Sequence, residues 1–147
     1  MEAKKSSELL PYSEFQQGNY AIYNGRVVMT SYHIGKEKVI ITLNEKEIKE
    51  VYATELNPIE LSESVLKKCS PVTIKNGKYI FEFVYGTYSI SVNPINNYVE
   101  VSITSSGKDA KITFSNVVHS LHILQNIIMA FAKHPISYTE SNNQSEE

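Results

Sequence analysis

Apolar and polar positions alternate almost one by one through much of this chain, and the spacing changes only near its C-terminal end. From Phe15 to Leu56 the runs NYAIY, RVVMTSYHI, KVIITL and EIKEVYATEL are short and rich in β-branched and aromatic residues. Alternation with period two predicts strands that bury one face. Asn24-Gly25 separates the first two runs; both central residues of a type I′ turn need positive φ, so this pair predicts a tight hairpin. Gly35 and the charged Asn44-Glu45-Lys46 mark the next two turns. In the fourth run Ile48, Tyr52 and Leu56 share a parity and are expected to point inward. A helix over EKEIKEVYATEL is the rival, because Glu and Lys favour helices. Four or five short strands within residues 15–56 are about what a small, strongly bent, SH3-like barrel requires.

Asn57-Pro58 interrupts the alternation. Ser62 then heads SESVLKKC, a short helix with Val65, Leu66 and Cys69 on one side and Pro71 as its stop. Alternation resumes in VTIKNGKYIFEFVYGTYSISVNP, with turns expected at Asn76-Gly77 and, in type II′ form, at Gly86-Thr87. Tyr79, Phe81, Phe83 and Tyr85 fall on one face; the second turn would set Tyr85 opposite Tyr88, Phe83 opposite Ile90 and Phe81 opposite Val92. NYVEVSIT and DAKITF, joined through Ser105-Ser106-Gly107-Lys108, complete an antiparallel meander of about five strands. That aromatic slab needs a cover. At roughly 100° per residue Val117, Leu121, Leu124, Ile128 and Phe131 line up as the inner stripe of a helix that Pro135 ends. His119, His122, Asn126, Ala130 and Lys133 then fall on the far face, with Gln125 on the shoulder.

The expected class is therefore α+β: an arm at 1–14, a small barrel at 15–56, a helix, meander and C-terminal helix at 57–135, and a disordered acidic tail at 136–147. A length of 147 residues with 41% hydrophobic and 20% charged residues suits a globular chain. Fourteen basic against sixteen acidic residues leave a net charge of −2, which gives no general pull toward phosphate backbones or anionic lipid. One cysteine excludes an internal disulfide and fits a reducing compartment. With no signal-like N-terminus and no span-length apolar run, the expectation is a soluble, cytoplasmic protein without a membrane partner.

Candidate chemistry is sparse. His119 and His122 form an H-x-x-H pair, but a third and fourth ligand are not apparent, so neither metal nor cofactor is expected. His122 and Asn126 are four apart and can bond along a helix. His122, Gln125 and Asn126 either tie the helix to a neighbouring loop or second subunit, or touch a ligand. Cys69, set among Val65 and Leu66, reads as a small buried thiol rather than a nucleophile. G-x-S-x-G, P-loop and G-x-G-x-x-G patterns are missing, so no catalytic residue is assigned. The lysines at 36, 38, 46 and 49 alternate with glutamates, as on a solvated face. Tyr23, Tyr32 and Tyr52 could stack on bases or form a protein interface; burial in the barrel is the expectation.

The run from His122 to Phe131, HILQNIIMAF, resembles a C-terminal signature H-Q-L-Q-N-L-Y-F-A-L in a family of short proteins encoded by anaerobic gut bacteria and their phages. Gly18-Asn19-Tyr20 resembles the family's opening G-N-Y-V, and LNPIELSESVLKKC its central L-x-P-I-P-L-T-E-E-x-L-x-K-C. The signature maps onto His122, Leu124, Gln125, Asn126 and Ala130; Ile123 replaces its glutamine, and Ala132-Lys133 replaces its Thr-Gly helix end. The resemblance implies architecture and a phage or prophage setting but no mechanism. The functional expectation is a non-enzymatic binding module, homo-oligomeric, that sequesters a host protein or small ligand and so could antagonise a defence. A nucleic-acid-associated protein using the barrel and a virion structural component are the alternatives.

Overall fold

The computed structural model describes residues 15–44, 46–83, 88–103 and 111–139. The arm at 1–14, Tyr85, the Gly86-Thr87 turn, the loop at 105–108 and the tail from 140 onward lie outside the described residues. The chain divides into two compact units: residues 1–59 with 120–127, and residues 60–119 with 128–147.

In the first unit β1 (Tyr20–Tyr23), β2 (Arg26–Ile34), β3 (Lys38–Asn44) and β4 (Glu47–Tyr52) form an antiparallel sheet in sequence order. Asn24 and Gly25, at φ 50° and 77°, make the expected turn and set Tyr23 opposite Arg26. Register shifts at Thr30/Tyr32 and Thr42/Asn44 bend the sheet. Ala21, Val28, Val39, Ile41, Val51 and Leu56 form the core on one face.

Two expectations change. Among the described residues the four strands pair in sequence order with β1 and β4 at the edges, and no closed barrel is found. EIKEVY is a strand, and Ile48 and Tyr52 point away from the core, 64% and 48% exposed. The reason is register: Val51 sits opposite core-facing Val39, so the pleat turns residues 48, 50 and 52 outward. A 3₁₀ turn at Ala53–Glu55 then resets the phase and lets Leu56 point inward. Tyr32, expected in the core, is likewise 55% exposed.

In the second unit α1 (Glu63–Lys67) is capped by Ser62, whose hydroxyl accepts from Val65 N at 3.3 Å. The strand β5 (Cys69–Ser70) pairs with β11 (Ser137–Tyr138). Ile136 and Tyr138 are buried, so the chain just beyond Pro135 is part of the fold rather than a disordered tail. β6 (Thr73–Lys75), β7 (Lys78–Glu82), β8 (Tyr88–Asn93), β9 (Tyr98–Ile103) and β10 (Lys111–Val117) form a five-stranded antiparallel sheet in sequence order. Phe81 lies opposite Ile90 and Tyr79 opposite Val92, two residues from the expected register. A slip of two keeps every side chain on its face, so Tyr79, Phe81, Ile90 and Val92 are still buried together.

The C-terminal helix α2 runs from Leu121 to Ala132, and Lys133, at φ 58°, ends it before Pro135. Val117 is therefore not on the helix. It ends β10, opposite Tyr98, because strand pairing continues through Asn116 and Val117. Residues 121–127 of α2 belong with the first unit and 128–132 with the second, where Phe131 packs at 5.6 Å from the rings of both Tyr88 and Phe114.

Candidate functional site

Among the described residues the buried polar side chains Asn19, Thr30, His122, Gln125 and Asn126 all belong to the first unit. Gln16 to Asn19 form a β-turn closed by Asn19 N donating to Gln16 O at 3.0 Å. Gly18, the third residue, stands at φ 88°, as a type II turn requires, where any side chain would be strained. Asn19 then accepts on Oδ1 from Gln16 N at 2.6 Å, while its own N–H also reaches Thr30 Oγ1 at 3.1 Å. Thr30 points to the core face of β2, 1% exposed, and its hydroxyl donates to Gln16 O. A short loop is thus bonded to itself and to the neighbouring strand.

The helix completes the arrangement. Gln125 Oε1 accepts from Tyr20 N at 2.9 Å and Gln125 Nε2 donates to Gly18 O at 3.0 Å. A carboxamide offers the same acceptor and donor as a peptide group, so this one side chain takes up edge groups that a further strand would otherwise pair. Farther along the same edge Ile22 exchanges both backbone bonds with Asn57, at 2.8 and 2.9 Å. Asn126 Oδ1 accepts from Asn19 Nδ2 at 2.9 Å. His122 stacks its ring on Phe15 with centroids 4.1 Å apart and planes inclined 25°. Leu121 N donates to Ile59 O at 2.8 Å, which ties the first turn of α2 to the segment after β4.

Of the four residues singled out by sequence, His122, Gln125 and Asn126 come together and are buried, 4%, 8% and 5% exposed. The outward face assigned to His122 and Asn126 is therefore wrong, and Gln125, placed on the shoulder, is buried with them. The loop-tying role for the set is what Gln125 and Asn126 perform. His119 precedes the helix, is exposed, and does not share a face with His122, so the H-x-x-H geometry is absent. Among the described residues no group of three or more His, Cys, Asp or Glu is placed to hold a metal.

Sequence reasoning did not single out Thr30, Phe15 or Asn19 as site residues. Asn19 lay within the opening motif of the family resemblance; Thr30 carried no signal beyond its strand. Two of those stretches meet, Gly18-Asn19-Tyr20 with Gln125-Asn126, while Asn57 and Ile59 of the central one meet Ile22 and Leu121, which lie just outside the other two.

Beside this network lies a cleft of about 710 Å³. Phe15, Gln16 and Gln17 form one wall; His33, Gly35, Lys36 and Ala53 form the remainder. The wall that carries Phe15 and Gln16 is the segment the network holds: His122 stacks on Phe15, while Asn19 and Thr30 clasp the Gln16 backbone. Cys69, the one thiol of the chain, is buried in the second unit and its pKa is pushed up to about 12 by burial, so it is a poor nucleophile. No family model, curated protein or solved structure matches this chain.

Proposed function

We propose that this chain is a non-enzymatic, phage- or prophage-encoded binding module that holds a small ligand, or a short segment of a host protein, in the cleft beside the Gly18–Tyr20 turn. The observation that carries this reading is the use of the buried polar residues. His122, Asn19 and Thr30 hold Phe15 and Gln16 in the wall of one ligand-sized cleft, and Asn126 holds Asn19 in turn. Pre-shaping a wall lowers the ordering cost of binding, and that is a physical return on a network this elaborate. His122, Gln125 and Asn126 are then positioning residues, while Gln16, Gln17, His33 and Lys36 present the groups a ligand would meet. The bulged four-stranded sheet suits an SH3-like likeness, which belongs to the same reading.

Nucleic acid is less well supported. Lys38 is paired with Glu50 at 3.2 Å and Lys49 lies 5.6 Å from the Tyr23 ring, so these cations are already engaged.

A thermal-shift screen against nucleotides, cyclic nucleotides and small carboxylates tests the proposal. A cleft ligand present at a hundred times its dissociation constant adds about 2.7 kcal/mol to stability. The His33→Ala/Lys36→Ala variant should melt like the unaltered protein without ligand and lose the ligand-dependent shift. A flat response across the panel, or a shift that survives the double substitution, counts against the cleft.

A further inference from the structure

The outer faces of the two sheets differ in composition. In the second unit the face away from Phe81, Ile90 and Val101 mixes Ser89, Ser91, Glu100, Ser102 and Ser115 with Tyr98, Ile112 and Val117, so its polar residues break up the apolar ones. In the first unit the register with Val39 and Ile41 turns Met29, Tyr32 and Ile34 of β2 and Ile48 and Tyr52 of β4 outward. They are 37%, 55%, 42%, 64% and 48% exposed, around a buried Ile40 on the same face. We propose that this outer face of the first sheet is a contact surface for a second copy of the same chain, the two sheets packing face to face about a two-fold axis.

Area and charge both select that occupant. The five exposed side chains present roughly 500 Å² of surface, near the upper end of what a monomer leaves bare. With the half-buried Tyr20, Ile22 and Val27 at the margin, the face approaches the roughly 800 Å² per partner of a stable interface. Its charges cancel within the face: Lys38 meets Glu50 at 3.2 Å and lies 5.2 Å from the ring of Tyr52. A nucleic acid or an anionic membrane needs unpaired cations, which this pair does not offer. A copy related by a two-fold axis brings the same neutral, apolar surface, and aligned sheets bury such faces well. The cleft is lined by other residues, so the dimer and the ligand reading stand or fall separately.

Sedimentation equilibrium of the full chain is the test. The unaltered protein is expected at twice the chain mass of 16.6 kDa. Tyr32→Lys with Ile48→Lys should raise the dimer dissociation constant by at least about a hundredfold, because two central contacts of hot-spot size are lost. Ile95→Lys, at a turn residue that is 91% exposed in the second unit, should leave the dimer intact. Should the double variant fold poorly, dilution of methyl-labelled unaltered protein gives the same answer: the Met29, Ile34 and Ile48 methyl resonances move and that of Ile95 does not. A unaltered chain that stays monomeric at millimolar concentration overturns the proposal, whether or not it binds oligonucleotides or anionic vesicles. So does a dimer that survives the double substitution, or methyl shifts centred elsewhere.

Discussion

Gln125 carries more structural consequence than any other polar side chain of α2, because both ends of its amide serve one stretch of backbone. Replacing it by alanine leaves Gly18 O and Tyr20 N without those partners, and each lost bond of this kind costs about 1–2 kcal/mol. Gln125→Ala should therefore destabilise by about 2–4 kcal/mol, a fall in Tm of roughly 10 °C, read by thermal denaturation. Gln125→Glu keeps the shape but sets a carboxylate against a carbonyl, and should lose at least as much. A Tm within a degree of the unaltered protein would show that the clamp contributes nothing. Cys69 makes a second prediction. With its pKa pushed up to about 12, the folded thiol should react with alkylating reagents at pH 8 about a thousandfold more slowly than in denaturant. The same shift has a stability consequence. Below about pH 9 both folded and unfolded chains hold the proton, and the contribution is flat. Between about 9 and 12 only the unfolded chain releases it, so stability falls as pH rises through that window. Burial, reinforced by its hydrogen bond to Glu63, raises the Tyr79 hydroxyl and adds to the same alkaline decline. Cys69→Ala should remove the thiol's share, measured by chemical denaturation across the pH range.

Turns and caps make predictions at the level of single elements. Asn76 and Gly77 stand at φ 51° and 79° between Lys75 and Lys78, and a Cβ built on Gly77 meets nothing within 4 Å. Gly77→Ala therefore isolates backbone strain, with an expected loss of about 1 kcal/mol and a Tm lower by roughly 3 °C. Ser62→Ala should cost a similar amount, about 1 kcal/mol, by leaving Val65 N uncapped. A loss well above that in either case would mean that the element supports contacts beyond its own turn. These are also the features most legible in the sequence. Both Asn-Gly turns and the Ser62 cap rest on atoms a few residues apart, so local pattern suffices. The start of α2 was misplaced for a related reason. In FSNVVHSL the apolar residues fit both a strand ending and a helix beginning, and only pairing of Val117 with Tyr98 decides between them. Phe81 pairs two residues away from the register that a turn at Gly86-Thr87 would give, and those turn residues lie outside the described ones.

For the whole molecule, the first unit is discontinuous in sequence: residues 1–59 are completed by 120–127. A fragment ending at Ile59 lacks Leu121, Leu124, Gln125 and Asn126, all buried, and should not fold alone. Circular dichroism of that fragment is expected to show coil; a cooperative melt would contradict the role given to the helix. The sequence by itself determined the strands, the tight turns, the short capped helix and which residues alternate, since each depends on neighbours within a few positions. Only the tertiary structure decided where His122, Gln125 and Asn126 point. Helical periodicity assigns polar residues to water, yet edge groups of β1, 105 and 107 residues away, need hydrogen-bond partners, and the helix supplies them. The same holds for Tyr32, Ile48 and Tyr52: alternation gave them a common kind of position, but the register across β3 chose the face, and it left them outside the core.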